Sequence, residues 1–187
     1  MIKKAIILLI LFTSIQLFYN CSGVSTKEIN TIVENKVWNE NDSEVIVDSI
    51  VNKMLLSQWQ QNFTTKRKPK LVVGSIENLT IEKIDTDLLS KNIERNLINS
   101  GDITFITSKD DREVIRNDRR NKNDFDGEKE FIKYLKPLKS DFFISGDIKL
   151  NIDSVSVPTS KEYKLTLEIL NSKNLESVSI MSEILMK

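Results

Sequence analysis

Histidine is missing from this chain altogether, and cysteine occurs once. Without imidazole there is no side chain that titrates near neutrality in its ordinary state, no use of the commonest metal ligand, and no base for a Ser-His-Asp or Cys-His nucleophile. A lone cysteine cannot form a disulfide within the chain, and as a catalytic thiolate it would lack a histidine beside it. Glycine (5) and proline (3) are scarce. Neither Gly74 nor Gly101 lies in a GxGxxG or GxxxxGK run, so no phosphate-cradling loop is present. An excess of one charge is also lacking, because 27 Lys+Arg face 27 Asp+Glu. That balance argues against a nucleic-acid ligand. No cofactor, no metal and no small-molecule substrate are expected.

What the chain does have begins with an apolar stretch. Lys3 and Lys4 precede an unbroken apolar run over 5–12, which continues with dilution to Phe18. A basic start and a short greasy segment predict a secretory signal over 1–20, since a permanent transmembrane helix needs about 20 apolar residues. Removing it leaves 25 cationic against 27 acidic residues, a net charge of −2. The stretch LFYNC, residues 17–21, resembles a bacterial lipobox in a relaxed form. This predicts cleavage before Cys21 and lipidation of its sulfur, with several acyl chains giving stable anchoring. Residues 21–40 read as a tether, polar and without sustained period. The 19 residues from Ser22 to Glu40 reach at most roughly 65 Å when extended. Trp38 is its exception and is expected to dock back onto the domain that follows.

With 187 residues, 40% hydrophobic and 29% charged, the chain is suited to one folded domain, here placed at 41–187. Val47, Ile50, Val51, Met54, Leu55 and Trp59 recur at intervals of three and four and predict a helix over about 42–60, capped by Asn41 with Glu44. KLVVGSI is a predicted strand. Asp85, Thr86 and Asp87 open a helix whose stripe of Leu89, Ile93 and Leu97 stops at Gly101. ITFIT predicts a second strand, Ser108 with Asp111 a third helix through residue 124, and Glu128–Lys136 a fourth that Pro137 helps to end. After Asp141 the period changes to two in FFISGDIKLNID, KEYKLTLEIL and ESVSIMSEILM, an antiparallel meander. The expected fold is α/β (α+β), a single mixed sheet flanked by helices.

Candidate functional residues are few. The densest charge, residues 112–130, offers a polar docking or switch surface, but mixed-sign runs are usually solvated helix faces. Within it Arg119 and Arg120 suit bidentate carboxylate contacts. Asp85 and Asp87 could form a carboxylate pair for hydrolysis of a glycan, yet a helix start explains both more simply. Trp38 and Trp59 read as core aromatics rather than stacking platforms. No catalytic constellation emerges.

Three stretches together carry a resemblance: 71–106 (LVVGSIENLTIEKIDTDLLSKNIERNLINSGDITFI), 112–125 (REVIRNDRRNKNDF) and 141–148 (DFFISGDI). Their order and spacing resemble the LpoB-type penicillin-binding protein activators, outer-membrane lipoproteins distantly related to the curli-secretion lipoprotein fold. The resemblance spans about 38–170, with IDTD and IERNLINSG most specific. It implies a non-enzymatic domain, anchored in the outer membrane and facing the periplasm. The partner it implies is the regulatory domain of a class A penicillin-binding protein, whose active state it favours by binding one conformer better. Carried over by position, Asp85, Thr86, Asp87, Arg95, Asn117, Asp118, Arg119 and Arg120 match the family's motifs. The distant kinship leaves a second reading open, a subunit of an envelope secretion or assembly complex.

Overall fold

Asn39 starts the first helix, α1 (Glu40–Leu56), by accepting the Asp42 amide on its side chain, while the Asp42 carboxylate accepts the Asn39 amide at 2.8 Å. The protein is described by a computed structural model over residues 37–63, 66–105, 119–153 and 160–187. Residues 1–36, with Cys21, and residues 106–118, with Asn117 and Asp118, lie outside that description, as does the expected cap of Ser108 and Asp111. The cap expected at Asn41 and Glu44 is therefore displaced by two residues. Asn39 and Asp42 have the same spacing, and Trp38 holds their turn in place: its indole N–H donates to Ser43 Oγ at 3.0 Å and its ring lies 4.9 Å from that of Tyr163. Trp38 thus docks as its sequence context suggested.

The helix also stops earlier than position 60. Ser57 is extended, its hydroxyl and amide both donate to the Met54 carbonyl, and the Trp59 indole reaches the same oxygen at 2.9 Å. Side-chain donors that take up a last-turn carbonyl compete with continuation of the helix. The chain goes on as a 3-10 turn, Gln58–Asn62.

Strand β1 (Lys70–Asn78) leads to α2 (Thr86–Ser100), which Asp85 caps and Gly101 ends in the left-handed region at φ +73°, as the start and stop signals indicated. Then come β2 (Thr104–Phe105), a 3-10 turn (Lys122–Asp124), α3 (Glu128–Leu135), a 3-10 turn over Lys136–Leu138 that contains Pro137, β3 (Phe142–Asp153), β4 (Ser160–Asn171) and β5 (Ser177–Met186). The sheet order is β2-β1-β3-β4-β5. Its first half is parallel and its second antiparallel, the mixed sheet with a C-terminal meander that the change of period predicts.

Adjacent residues on one strand point to opposite faces, and Phe142 and Phe143 divide in this way between two apolar clusters. Phe142, Ile144 and Ile148 join the buried faces of α1 and α2, with Ile50, Met54, Leu89 and Ile93. Phe143 joins Val72, Phe131, Leu135 and Leu170 beneath α3. Trp59 belongs to the larger cluster and meets the Phe142 ring edge-on at 5.3 Å.

The helix expected over 112–124 does not reach its predicted end. Residues 119–121 are not helical and Lys122–Asp124 make a single 3-10 turn. Long-range contacts of Arg119 and Arg120, described below, draw this backbone across β1.

Carboxylates tie the ends of the sheet. Glu82 accepts from the Tyr163 hydroxyl at 2.7 Å, pairs with Lys161, and takes the Trp38 amide. Burial alone would raise its pKa, but the bonds from Lys161 and Tyr163 hold it below the usual value of 4.5. Asp141 behaves alike: burial opposes ionisation, and the Arg67 guanidinium with the Lys70 amide lowers the carboxyl below 3.8. Depressed carboxylate values stabilise the folded state above the unfolded pKa, and that contribution disappears as pH falls through the folded pKa. With no histidine, thermal stability should be flat between about pH 6 and pH 9 and should fall below about pH 4.5. Melting temperatures across pH 3–9 check this, and Glu82→Gln should flatten the acid limb. A step centred near pH 6.5 would contradict it.

Candidate functional site

The charged residues singled out from the sequence lie in three places. Asp85 and Asp87 stand at the start of α2, where the Asp85 carboxylate accepts the Leu88 amide at 2.9 Å. An acid at a helix N-terminus satisfies an otherwise unpaired amide and meets the positive end of the helix dipole, and this arrangement does that. Asp85 and Asp87 are exposed and Thr86 half-buried.

Arg95 lies ten residues further on, about 15 Å along the helix at 1.5 Å per residue. It is exposed and bridges to Glu44 of α1 at 3.3 Å, each side chain about half accessible. Such a pair contributes little to stability in water, which leaves the outer surface of α1 and α2 a charged face.

Arg119 is in a different environment. Its guanidinium meets Glu94 of α2 at 2.8 Å, with the two side chains only 4% and 8% exposed. This buried pair seats the segment that follows. Arg120 comes next, its guanidinium 5.6 Å from the Phe125 ring centre and 6.0 Å from that of Tyr134, distances at which a cation is attracted to an aromatic face. Its carbonyl lies 3.0 Å from where a Cβ at Gly74 would stand, and the Phe143 ring would be closer still. Glycine at position 74 is what lets this segment cross β1. Beside it, Glu77, Lys122, Asp147 and Glu168 line an open cleft of about 330 Å³ on the sheet face that α1 and α2 leave free.

The structure therefore brings Arg119 and Arg120 together with α2 and β1, while Asp85, Thr86 and Asp87 sit at a helix start and Arg95 on an outer face. Glu94 escaped sequence reasoning because it falls within the α2 pattern as one more polar residue. Its burial would be visible only as a charge one position from the apolar Ile93. Asp42 and Lys187 escaped for a similar reason. They pair at 2.6 Å with side chains 8% and 9% exposed, and the Lys187 ammonium also donates to the Val37 carbonyl. Among the described residues, no group of three Asp, Glu, His or Cys side chains is placed to hold a metal ion.

Solved structures with this fold exist. The LpoB C-terminal domains of Salmonella enterica and Escherichia coli each match with a TM-score of 0.54 at 14% identity, covering 77% of this chain and 98% of theirs. The NMR structure of Escherichia coli LpoB gives a TM-score of 0.50 at 13% identity, over 78% of this chain and 68% of that one. At such identity the likeness establishes the fold. No curated protein sequence matches the chain. A family model described as peptidoglycan-synthase activator LpoB matches residues 42–178, well over half the chain and almost all of the described domain. The chain belongs to the LpoB family of peptidoglycan-synthase activators.

Proposed function

We propose that this protein is anchored through acyl chains on Cys21, faces the periplasm from the outer membrane, and activates a class A penicillin-binding protein by binding its regulatory domain. The family match over 42–178 carries the reading, and the lone cysteine directly after an apolar leader supports the anchor. Activation of this kind needs no catalytic residue in the activator. A domain that binds the active conformer of the synthase more tightly shifts its population by the ratio of the two affinities. Asp85, Thr86, Asp87, Arg95 and Arg120 would supply polar contacts, together with Asn117 and Asp118. Arg119, turned inward to Glu94, would position its neighbours.

The test uses the full chain purified in detergent, with class A synthases from the same bacterium. Retention in a pull-down and a several-fold rise in glycan polymerisation are expected at micromolar protein. No binding and no change in rate at that concentration would overturn the reading. Mass spectrometry of the amino-terminal peptide from cells should find Cys21 acylated, and an unmodified sulfur with the leader attached would remove the anchor.

A further inference from the structure

Three stretches far apart in sequence converge at the end of the sheet where β1 and β3 begin. They are 66–70, 136–141 and 172–173, joined through Asp141. Arg67 donates both guanidinium nitrogens to the Asp141 carboxylate at 2.7 Å, and the Asp141 amide donates to the Lys70 carbonyl at 2.8 Å. The Ser172 amide donates to the Asp141 carbonyl at 3.0 Å, and the Ser140 and Ser172 hydroxyls share a hydrogen bond. Together these stretches hold seven cationic residues and a single acid, in a chain whose total charge is balanced.

Between them lies a cleft of about 510 Å³ with Ile132 and Leu135 among its lining residues and Lys136, Lys139 and Lys173 at its rim. All three lysines are exposed; Lys173 adds to the positive field that lowers the Asp141 carboxyl, while Lys136 and Lys139 form no ion pair among the described residues. Lys139 has φ +49°, a region where Gly or Asn is less strained. Arg67 pairs with Asp141 and the Lys68 ammonium donates to the Gly101 carbonyl, but crowding like charges opposes folding, so fold stability does not account for the whole patch. It also lies at the far end of β4 from the start of the described chain. Val37 is held by Lys187, which pairs with Lys161 near the start of that strand, and twelve strand residues span about 40 Å.

We infer that this cleft docks an acidic segment of the synthase, whose carboxylates meet Lys136, Lys139 and Lys173 while an apolar side chain settles against the half-buried Ile132. The inference rests on the activator reading above and names a surface for it. A protein segment fits better than an anionic membrane because the cationic rim surrounds a recess with apolar walls and the Asp141 carboxylate at its edge. A flat, uniformly negative layer would not fill that recess, whereas a chain of mixed acidic and apolar residues can.

Binding of the full chain to the purified class A synthase, measured at 50 and 300 mM NaCl, tests it. Lys136→Gln/Lys139→Gln/Lys173→Gln should bind roughly tenfold or more weakly, chiefly through a slower on-rate, and should lose most of the salt dependence. Its melting temperature should equal or exceed that of the wild type. Lys149→Gln/Lys164→Gln, elsewhere on the sheet, should bind as the wild type does. Equal binding by the triple variant overturns this inference alone, as does an equal loss in the control variant. A loss seen only with vesicles of 30% phosphatidylglycerol in phosphatidylcholine assigns the patch to a membrane and overturns it too. If the wild-type chain binds no synthase, the activator reading falls and this surface with it.

Discussion

Replacing Glu94 with alanine lowers stability by about 3–5 kcal/mol, the range found when one partner of a buried ion pair is removed. The Arg119 guanidinium, with its side chain 4% exposed, loses the carboxylate 2.8 Å away that offsets its desolvation. In a domain of this size each kcal/mol moves the melting temperature by about 2–4 °C, so a drop of roughly 6–20 °C is expected. Local consequences follow as well. Residues 119–124 lose their seat on α2, so Arg120 no longer rests over Phe125 and Tyr134, and stimulation of the proposed partner should weaken even where the variant remains folded. Glu94→Leu/Arg119→Met separates the two effects, because a well-packed apolar pair can restore stability that a broken buried pair removes. A melting temperature for Glu94→Ala within about 2 °C of the wild type, less than 1 kcal/mol on the same scale, would show that the pair contributes little.

Gly146→Ala is expected to cost about 3 kcal/mol, for a steric reason. Gly146 lies in β3, opposite Ile76 and Leu167 in the ladders to β1 and β4. A Cβ there would stand 2.2 Å from the Thr166 carbonyl oxygen and 2.8 Å from Leu167 Cδ2. The carbonyl is backbone in a strand paired along its length with β3 on one side and β5 on the other, so it cannot turn aside as a side chain could. Overpacking of this kind shifts backbone and typically costs 1–3 kcal/mol, occasionally more. Gly101→Ala is the comparison. No atom lies within 4 Å of its added Cβ, but φ is +73°, so the cost should be about 1 kcal/mol from backbone strain alone. Urea unfolding of both variants checks the order, and a larger loss at Gly101 than at Gly146 would refute it.

Much of the fold was legible in the residues because it depends on neighbours within a few positions. The stripe of Leu89, Ile93 and Leu97, an acid at position 85 and a glycine at 101 suffice to specify α2, since capping and amphipathic burial act over one or two turns. Alternation in FFISGDIKLNID and KEYKLTLEIL specifies two strands for the same reason. The end of α1 was not legible in this way. Its apolar period runs on through Trp59, but the Trp59 indole and the Ser57 hydroxyl take the Met54 carbonyl, a competition that hydrophobic spacing does not register. The candidate site was legible as a set of charged residues and not as an arrangement. The acids at 85 and 87 mark a helix start in the sequence and form one in the fold, whereas nothing in RRNKND says that the first arginine turns inward and the second lies on aromatic rings.

By itself, then, the sequence determined most of the elements and their order, the caps of α2, the antiparallel meander after Asp141, and the absence of imidazole chemistry. Only the tertiary structure decided which charges are buried together and which crowd at a surface. Glu94 with Arg119, Asp42 with Lys187, and the lysines around Asp141 come from separate stretches of chain. The desolvation, pairing and repulsion of such charges depend on distances that exist only once the sheet has brought those stretches together.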